Sequence, residues 1–503
     1  MAPHPHPLGS LRLFGLEDPR CDAVLSVLLI VLVAASRMAA FPATIWEQDE
    51  AVFAGAVVHF DPTDNLPHPP WFPLWIAAGK AVHLFGTDPI TSLQLLSFAF
   101  SVWILFPLTA LWSAVLPRKL AAPSAVVFLV APGPWFFSGR AFSGTAATAL
   151  LVAALAFWMQ AGDRPRWTTA GALMAALAVL VRPHFLPAVV GAMLILGVRA
   201  STERRRSLLA FVVPLLAGTT LLVIASGGPF ALWPALETHA DYHFSRLDDA
   251  EHGFTTSGFS RCLGHPAVAV AWLAMGILGL IRLARDRRLT LVSPVVVGAL
   301  LPLLVVIHGL SNPGHARYAV PLLALSCGLA ALGLDTLFHR WTPALIGSIV
   351  VLAAASIAPQ LATYRSAISP PVAAVDEAFL AAARIDGIVV ADRTLHAFVV
   401  LHQLTRPSPA PVLFDHMLEL GHAPPAAQRT VAVFDRANGS PMNAPVRERT
   451  FTCSIPLVRT LGQDRYLDLG VAAGARFRGQ SKGEGSNEFG PGRSSSRNPA
   501  STQ

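Results

Sequence analysis

Residues 21–50 read CDAVLSVLLIVLVAASRMAAFPATIWEQDE, an apolar run from Cys21 to Phe41 that leads into three acids in four residues, Glu47, Asp49 and Glu50. A helix needs about 20 apolar residues to cross the hydrocarbon core of a bilayer. The run therefore reads as a first membrane span with acids at its far boundary. Working outward, apolar runs near 90–116, 120–138, 142–161, 207–226, 266–283, 289–309, 318–337 and 342–361 are each long enough to cross. The stretch 167–199 carries shorter apolar runs on either side of Arg182-Pro183-His184 and reads as two short spans turning at Arg182. The fold class expected is thus a polytopic α-helical membrane protein of about eleven transmembrane helices.

Composition agrees. Of 503 residues, 53% are apolar and only 13% charged, too little polar surface to cover a soluble body of this size. A water-soluble enzyme, a disulfide scaffold and a disordered regulator are excluded. The net charge of +7 does not point to nucleic acid, because no Lys/Arg face with interleaved aromatics appears. Cys21, Cys262, Cys327 and Cys453 lie far apart, without the spacing of a zinc or redox motif, and are read as unpaired.

Lys and Arg mark the cytoplasmic side of short loops. One set comprises Arg12, Arg20, Arg118-Lys119, Arg164, Arg166, Arg199, Arg204 to Arg206, Arg282, Arg285, Arg287, Arg288 and Arg340. The intervening segments hold fewer: Lys80, Arg140, Arg182, Arg246, Arg261 and Arg317. The two sets alternate if 71–86 does not span, so that segment is expected to be an interfacial or re-entrant helix with Lys80 and His83 reaching water. The same parity argues against a signal peptide over 21–41, despite the small residues Ala34-Ala35-Ser36. The expected organisation is a cytoplasmic tail (1–20), a membrane domain (21–361) with large outer loops at 42–89 and 228–265, an outer α/β domain (366–475) and a disordered tail (476–503). The 366–475 reading rests on Gly387–Val390 and Arg429–Phe434 as strands and on a helix around 373–384.

The chemistry concentrates in the first outer loop. Ala51 to Val58 is apolar enough to lie as a helix on the interface, which would pin Asp49 and Glu50 at headgroup depth. A carboxylate held there can take the proton of an acceptor hydroxyl as it attacks. The plainer reading is a solvated loop start with Asp49 capping that helix. In His68-Pro69-Pro70-Trp71-Phe72-Pro73-Leu74-Trp75, aromatic belts account for the tryptophans without any function. His68 either contacts a phosphate or faces water, and Lys80 is the other candidate for touching substrate.

Ser311 to Tyr318 makes an outer turn in which Arg317 suits a phosphate, because its planar fork gives bidentate charge-assisted hydrogen bonds. His315 and Tyr318 flank it, and Arg182 and Arg140 lie at outer turns too. Each arginine alone reads as an anchor, since charges near span ends cost little. Together, acids on one loop and arginines on three turns describe a site for a lipid-linked anionic donor that leaves as a phosphate. No cofactor is expected, and a divalent metal has no support: Asp61-Pro62-Thr63-Asp64 and Asp248-Asp249 read as solvated turns, and His4/His6 as part of a flexible tail.

The order of these features resembles the GT-C superfamily of membrane glycosyltransferases. They run from the first span and Asp49-Glu50 through His68-Pro69-Pro70, Leu84-Phe85-Gly86 and Arg182-Pro183 to Arg317-Tyr318 before a Pro-containing span. The resemblance covers about 20–360 and is strongest to the branch of protein O-mannosyltransferases and aminoarabinose lipid A transferases. It implies transfer of a sugar, with inversion, from a polyprenyl-phosphate donor to a hydroxyl of a glycan, lipid or protein at the outer face of the cytoplasmic membrane. It implies Asp49 as base, Glu50 in support and Arg317 on the lipid phosphate. Ser138-Gly139-Arg140-Ala141-Phe142-Ser143-Gly144 departs from it, lacking the acid that relatives often carry there. The Ala-rich composition suits a bacterial cell envelope. Two rivals are a transporter or flippase of a lipid-linked sugar, which would need charges lining its spans, and a non-catalytic envelope scaffold.

Overall fold

The computed structural model describes residues 13–14, 18–63, 66–161, 164–197, 204–245, 257–310, 314–392, 395–406, 408, 410–414, 430–435, 447–461 and 468–474. Asp64, Arg199, Arg246, Asp248, Asp249, residues 311–313 and the tail from 476 lie outside them, as do His4 and His6.

The first span is α1 (Pro19–Ala39), started by Pro19 and by the Asp18 side chain accepting from the Arg20 N–H; a proline at the first helical position suits its missing N–H. The first outer loop holds α2 (Gln48–Val58) and α3 (Pro73–His83). At 11 residues α3 is too short to cross, which agrees with the reading of 71–86. Lys80 departs from that reading: it is half-buried with its Nζ 5.7 Å from the Phe60 ring centroid.

The bundle continues with α4 (Pro89–Trp103), α5 (Leu105–Ser113), α6 (Arg118–Val130), α7 (Pro132–Phe136), α8 (Ser143–Gln160), α9 (Pro165–Val181), α10 (Leu186–Gly197) and α11 (Arg204–Ala225). The second outer loop contributes α12 (Trp233–Ser245) and α13 (Ser257–Cys262). Then come α14 (Pro266–Arg285), α15 (Leu289–Ser293), a π-helical stretch at Pro294–Leu300, α16 (Leu301–Leu310), α17 (Ala316–Phe338) and α18 (Thr342–Ser366).

Among the described residues, 8 helices are long and apolar enough to cross, or 9 if one bent pair counts as a span. Two shorter apolar helices, Arg166–Val181 and Pro183–Leu196, turn at Arg182 as expected. The bent pair corrects the straight span expected over 120–138: Leu120–Val130 and Pro132–Gly139 meet at 67°. Pro132 cannot continue the preceding hydrogen-bond ladder, and the residue before a proline is pushed out of the helical region. Lipid replaces protein contacts on the outside, where α1 exposes Val24, Leu28, Val31 and Leu32 and α11 exposes Leu216, Leu221 and Ile224. Inside, α14 and α17 touch backbone to backbone. A Cβ on Gly333 would come within 1.9 Å of the Met275 carbonyl oxygen.

Beyond α18, α19 (Pro370–Ile385) and α20 (His396–Thr405) accompany a five-stranded mixed sheet in the order β2-β1-β3-β5-β4. Its strands are β1 (Ile388–Ala391), β2 (Val412–Phe414), β3 (Thr430–Asp435), β4 (Arg447–Thr452) and β5 (Asp468–Gly474). β1 runs parallel to β2 and β3, and β5 pairs antiparallel with β3 and β4. This unit is pinned to the segment before α2. The Ser369 N–H donates to Thr44 Oγ1 at 2.9 Å, Ser369 Oγ donates to the Ile45 carbonyl, and the Ala43 N–H donates to the Arg365 carbonyl at 3.1 Å. α20 rests on α2, with Leu404 against Gly55.

Candidate active site

α2 places its three neighbouring acids on two different tasks. Glu47 is the N-cap and Glu50 the third helical residue, so Glu50 turns back and accepts from the N–H of Trp46 at 2.9 Å and of Glu47 at 3.2 Å. Asp49 lies inside the first turn. This corrects its alternative reading as the cap.

Glu50 is fully buried against fully buried Arg140. Arg140 Nε donates to Oε1 at 2.8 Å, its Nη2 donates to Oε2, and the Ala141 N–H donates to Oε1 at 3.0 Å. The guanidinium lies 5.2 Å from the Phe136 ring centroid and 5.0 Å from that of Phe142. The pair ties the first loop to the segment before α8. Neither group lines the cavity described next, unlike the base-supporting and phosphate-binding places given them from sequence.

Asp49 faces the other way. Its Oδ2 is 2.9 Å from Arg317 Nη2, and Glu47 pairs with Nη1 of the same guanidinium. Burial opposes ionisation of Asp49, but Arg317, His68, His315 and Arg182 outweigh it and hold the carboxyl down at about 2. Burial pushes Glu47 up instead, against the pull of Arg317 and Arg140. Glu47 Oε1 and Arg317 Nε are buried without a hydrogen-bond partner, a pattern that polar ligand or water contacts resolve.

Arg182, where α9 ends, is 8% exposed, with its guanidinium carbon 5.2 Å from the Tyr318 ring centroid and Nη1 3.5 Å from Ser143 Oγ. No carboxylate forms a salt bridge with it among the described residues. Gly144 makes its position possible, since a Cβ there would sit 3.0 Å from Nη1. On the opposite wall His68 stacks on Phe53 at 5.7 Å and on His239 of α12 at 5.9 Å. Trp71 and Phe72 hold this wall with φ of 66° and 48°, a left-handed conformation that non-glycine residues adopt at a cost.

Two cavities meet here. A polar one of about 410 Å³ is bounded by Asp49, His68, His184 and His239. An apolar one of about 310 Å³ is bounded by Phe185, Leu303, Val306, Ile307 and Pro321. Arg182, His184, Arg317 and Tyr318 line both.

Of the residues singled out from sequence, Asp49, His68, Arg182, Arg317 and Tyr318 come together on this double cavity. His315 sits beside it, its ring centroid 6.3 Å from that of Tyr318. Lys80 does not line it. Sequence reasoning overlooked Glu47, His184 and His239. The three-residue spacing of Glu47 and Glu50 is a capping pattern that already hints at separate roles for the acids, and His184 is next to the Arg182-Pro183 turn. Nothing local marks His239. Among the described residues no group of three or more His, Cys, Asp or Glu is arranged to hold a metal ion.

No protein-family model matches the sequence, and no curated protein matches it in sequence. The fold is that of the GT-C membrane glycosyltransferases. The chain is similar to the crystal structure of ArnT from Cupriavidus metallidurans bound to undecaprenyl phosphate, with a TM-score of 0.51 at 13% identity, over 89% of this chain and 97% of that one. The Archaeoglobus fulgidus oligosaccharyltransferase in the apo form aligns at a TM-score of 0.48 and 11% identity, over 81% of this chain and 69% of that one.

Proposed function

We propose that the protein is an inverting glycosyltransferase that moves a hexosyl or pentosyl group from a polyprenyl-phosphate carrier to an acceptor hydroxyl. The reaction is assigned to the outer face of a bacterial cytoplasmic membrane, with the amino terminus inside and the 366–475 domain outside. The observation that carries this reading is the junction of the two cavities. An ionised carboxylate and two guanidinium groups meet there, at the point where an apolar chamber opens into a polar one.

In this reading the apolar cavity takes the first isoprene units, the phosphate sits at Arg182 and Arg317, and the sugar lies among Phe53, Phe72 and Phe142 with the histidines around it. The acceptor O–H gives its proton to Asp49 as its oxygen bonds to the anomeric carbon. The bond from that carbon to the phosphate oxygen breaks, and the carrier leaves as a phosphate monoester with one more negative charge. Donors aimed at charge that develops in the transition state are the largest single source of catalysis in many enzymes. Arg317 touches Asp49 directly, where the sequence suggested the two would stand a sugar-phosphate apart. The incoming phosphate therefore competes with Asp49 for Arg317, and its arrival releases the base.

The test is reconstitution of the purified protein with polyprenyl-phosphate sugars and a panel of glycan, lipid and peptide hydroxyl acceptors. Asp49→Asn should abolish transfer while leaving the protein folded. Full transfer by Asp49→Asn refutes the assignment of the base; lipid translocation without any transfer refutes the enzyme and favours a transporter.

A further inference from the structure

A second cavity lies apart from this site and does not depend on the reading above. Arg37, near the end of α1, is 1% exposed. Its Nη2 donates to the Leu129 carbonyl, its guanidinium carbon is 5.7 Å from the Trp135 ring centroid, and its Nε is buried with no acceptor. Among the described residues no carboxylate forms a salt bridge with it, and the buried Glu50 is already engaged by Arg140. A guanidinium does not give up its proton in proteins. Arg37 is thus a permanent cation inside the bundle, with no countercharge of its own, and such a group is costly to bury unpaired.

Arg37 borders a small cavity with Ser101, Thr145 and Thr148 among apolar walls such as Phe128 and Val320. Every lining residue is buried, and there is room for about one water-sized species. Ser101, Thr145 and Thr148 now donate to the carbonyls of Phe98, Phe137 and Gly144 at 2.7, 3.3 and 2.7 Å. Rotation about each Cβ–O bond turns a hydroxyl hydrogen towards the cavity instead, and bonds of this local kind are readily exchanged.

We propose that this cavity binds a halide ion, chloride in the cell, bridging the Arg37 N–H groups and the three hydroxyls. A water molecule would satisfy Nε and leave the charge uncompensated. A phosphate or carboxylate is too large for the space. The ion would link α1, α6 and α8 beneath the Arg140–Glu50 pair.

The test uses the full chain in lipid nanodiscs, exchanged into gluconate and titrated with chloride or bromide at constant ionic strength while Tm is followed. A saturable rise on the order of 5 °C is expected, with an anomalous bromide peak beside Arg37 in bromide-soaked crystals. Arg37→Met should remove the halide response. Thr148→Val, the milder change, should raise the midpoint of the titration several-fold. A wild-type Tm indifferent to halide, an unaltered response in Arg37→Met or an unmoved midpoint in Thr148→Val overturns the proposal.

Discussion

Replacing Glu50 by Gln separates structure from chemistry at the start of α2. Both Glu50 and Arg140 are fully buried. The carboxylate accepts from Arg140, Ala141, Trp46 and Glu47, so it has no capacity left for a substrate. Removing one charge of such a pair strands the other in a low-dielectric interior and costs about 3–5 kcal/mol. The shift in Tm per kcal/mol shrinks as chains lengthen. For this chain a fall on the order of 5 °C is expected, followed by differential scanning fluorimetry in detergent. The double variant Glu50→Leu/Arg140→Met should recover more than half of the loss, because no unpaired charge remains. Transfer per folded molecule, measured well below Tm, should drop less than tenfold in Glu50→Gln. An unchanged Tm with transfer abolished would refute the structural role and return Glu50 to the chemistry.

Arg182→Met removes a buried cation at the cavity junction. A hydrogen bond to a charged group is worth about 1.5–3 kcal/mol, so kcat/KM for the lipid donor should fall roughly 10- to 100-fold; an unaltered value in steady-state assays contradicts phosphate binding there. Gly333→Ala forces a methyl group onto the Met275 carbonyl and should lower Tm by the equivalent of about 1–3 kcal/mol, an effect absent if α14 and α17 separate freely. Asp49 is held at about 2, below the ordinary carboxylate value near 3.9. Its ionised form therefore persists above about pH 4 and is lost only as the pH falls through 4 towards 2. An acid limb of log kcat at pH 5 or higher that shifts in Asp49→Glu would contradict this.

Span-level architecture was legible because bilayer thickness writes itself into run length: the apolar segments drawn from sequence coincide with the helices, including the turn at Arg182 and the short helix after Trp71. The 67° break at Ala131-Pro132 was less visible, since an apolar count over 120–138 is indifferent to a bend. At the site, Asp49 and Arg317 were legible as residue types at one boundary, yet their direct contact joins positions 268 apart in sequence, and only tertiary packing sets that. Arg140 was misplaced for the same reason. An arginine at an outer turn looks alike in sequence whether it faces a ligand or is sealed against Glu50. Three of the five strands were not anticipated from sequence. β2, β4 and β5 are short, polar or glycine-bearing, and take their form from neighbours more than from their own pattern.

The bonds from Ser369 and Arg365 to residues 43–45 end two positions before Glu47. The carboxyl-terminal sheet is consequently no detachable appendage. Cutting the chain after α18 would strip the underside of α2 and leave the Ile45 carbonyl without the Ser369 hydroxyl. The damage would surface at the far side of that same helix, where Asp49 is aimed.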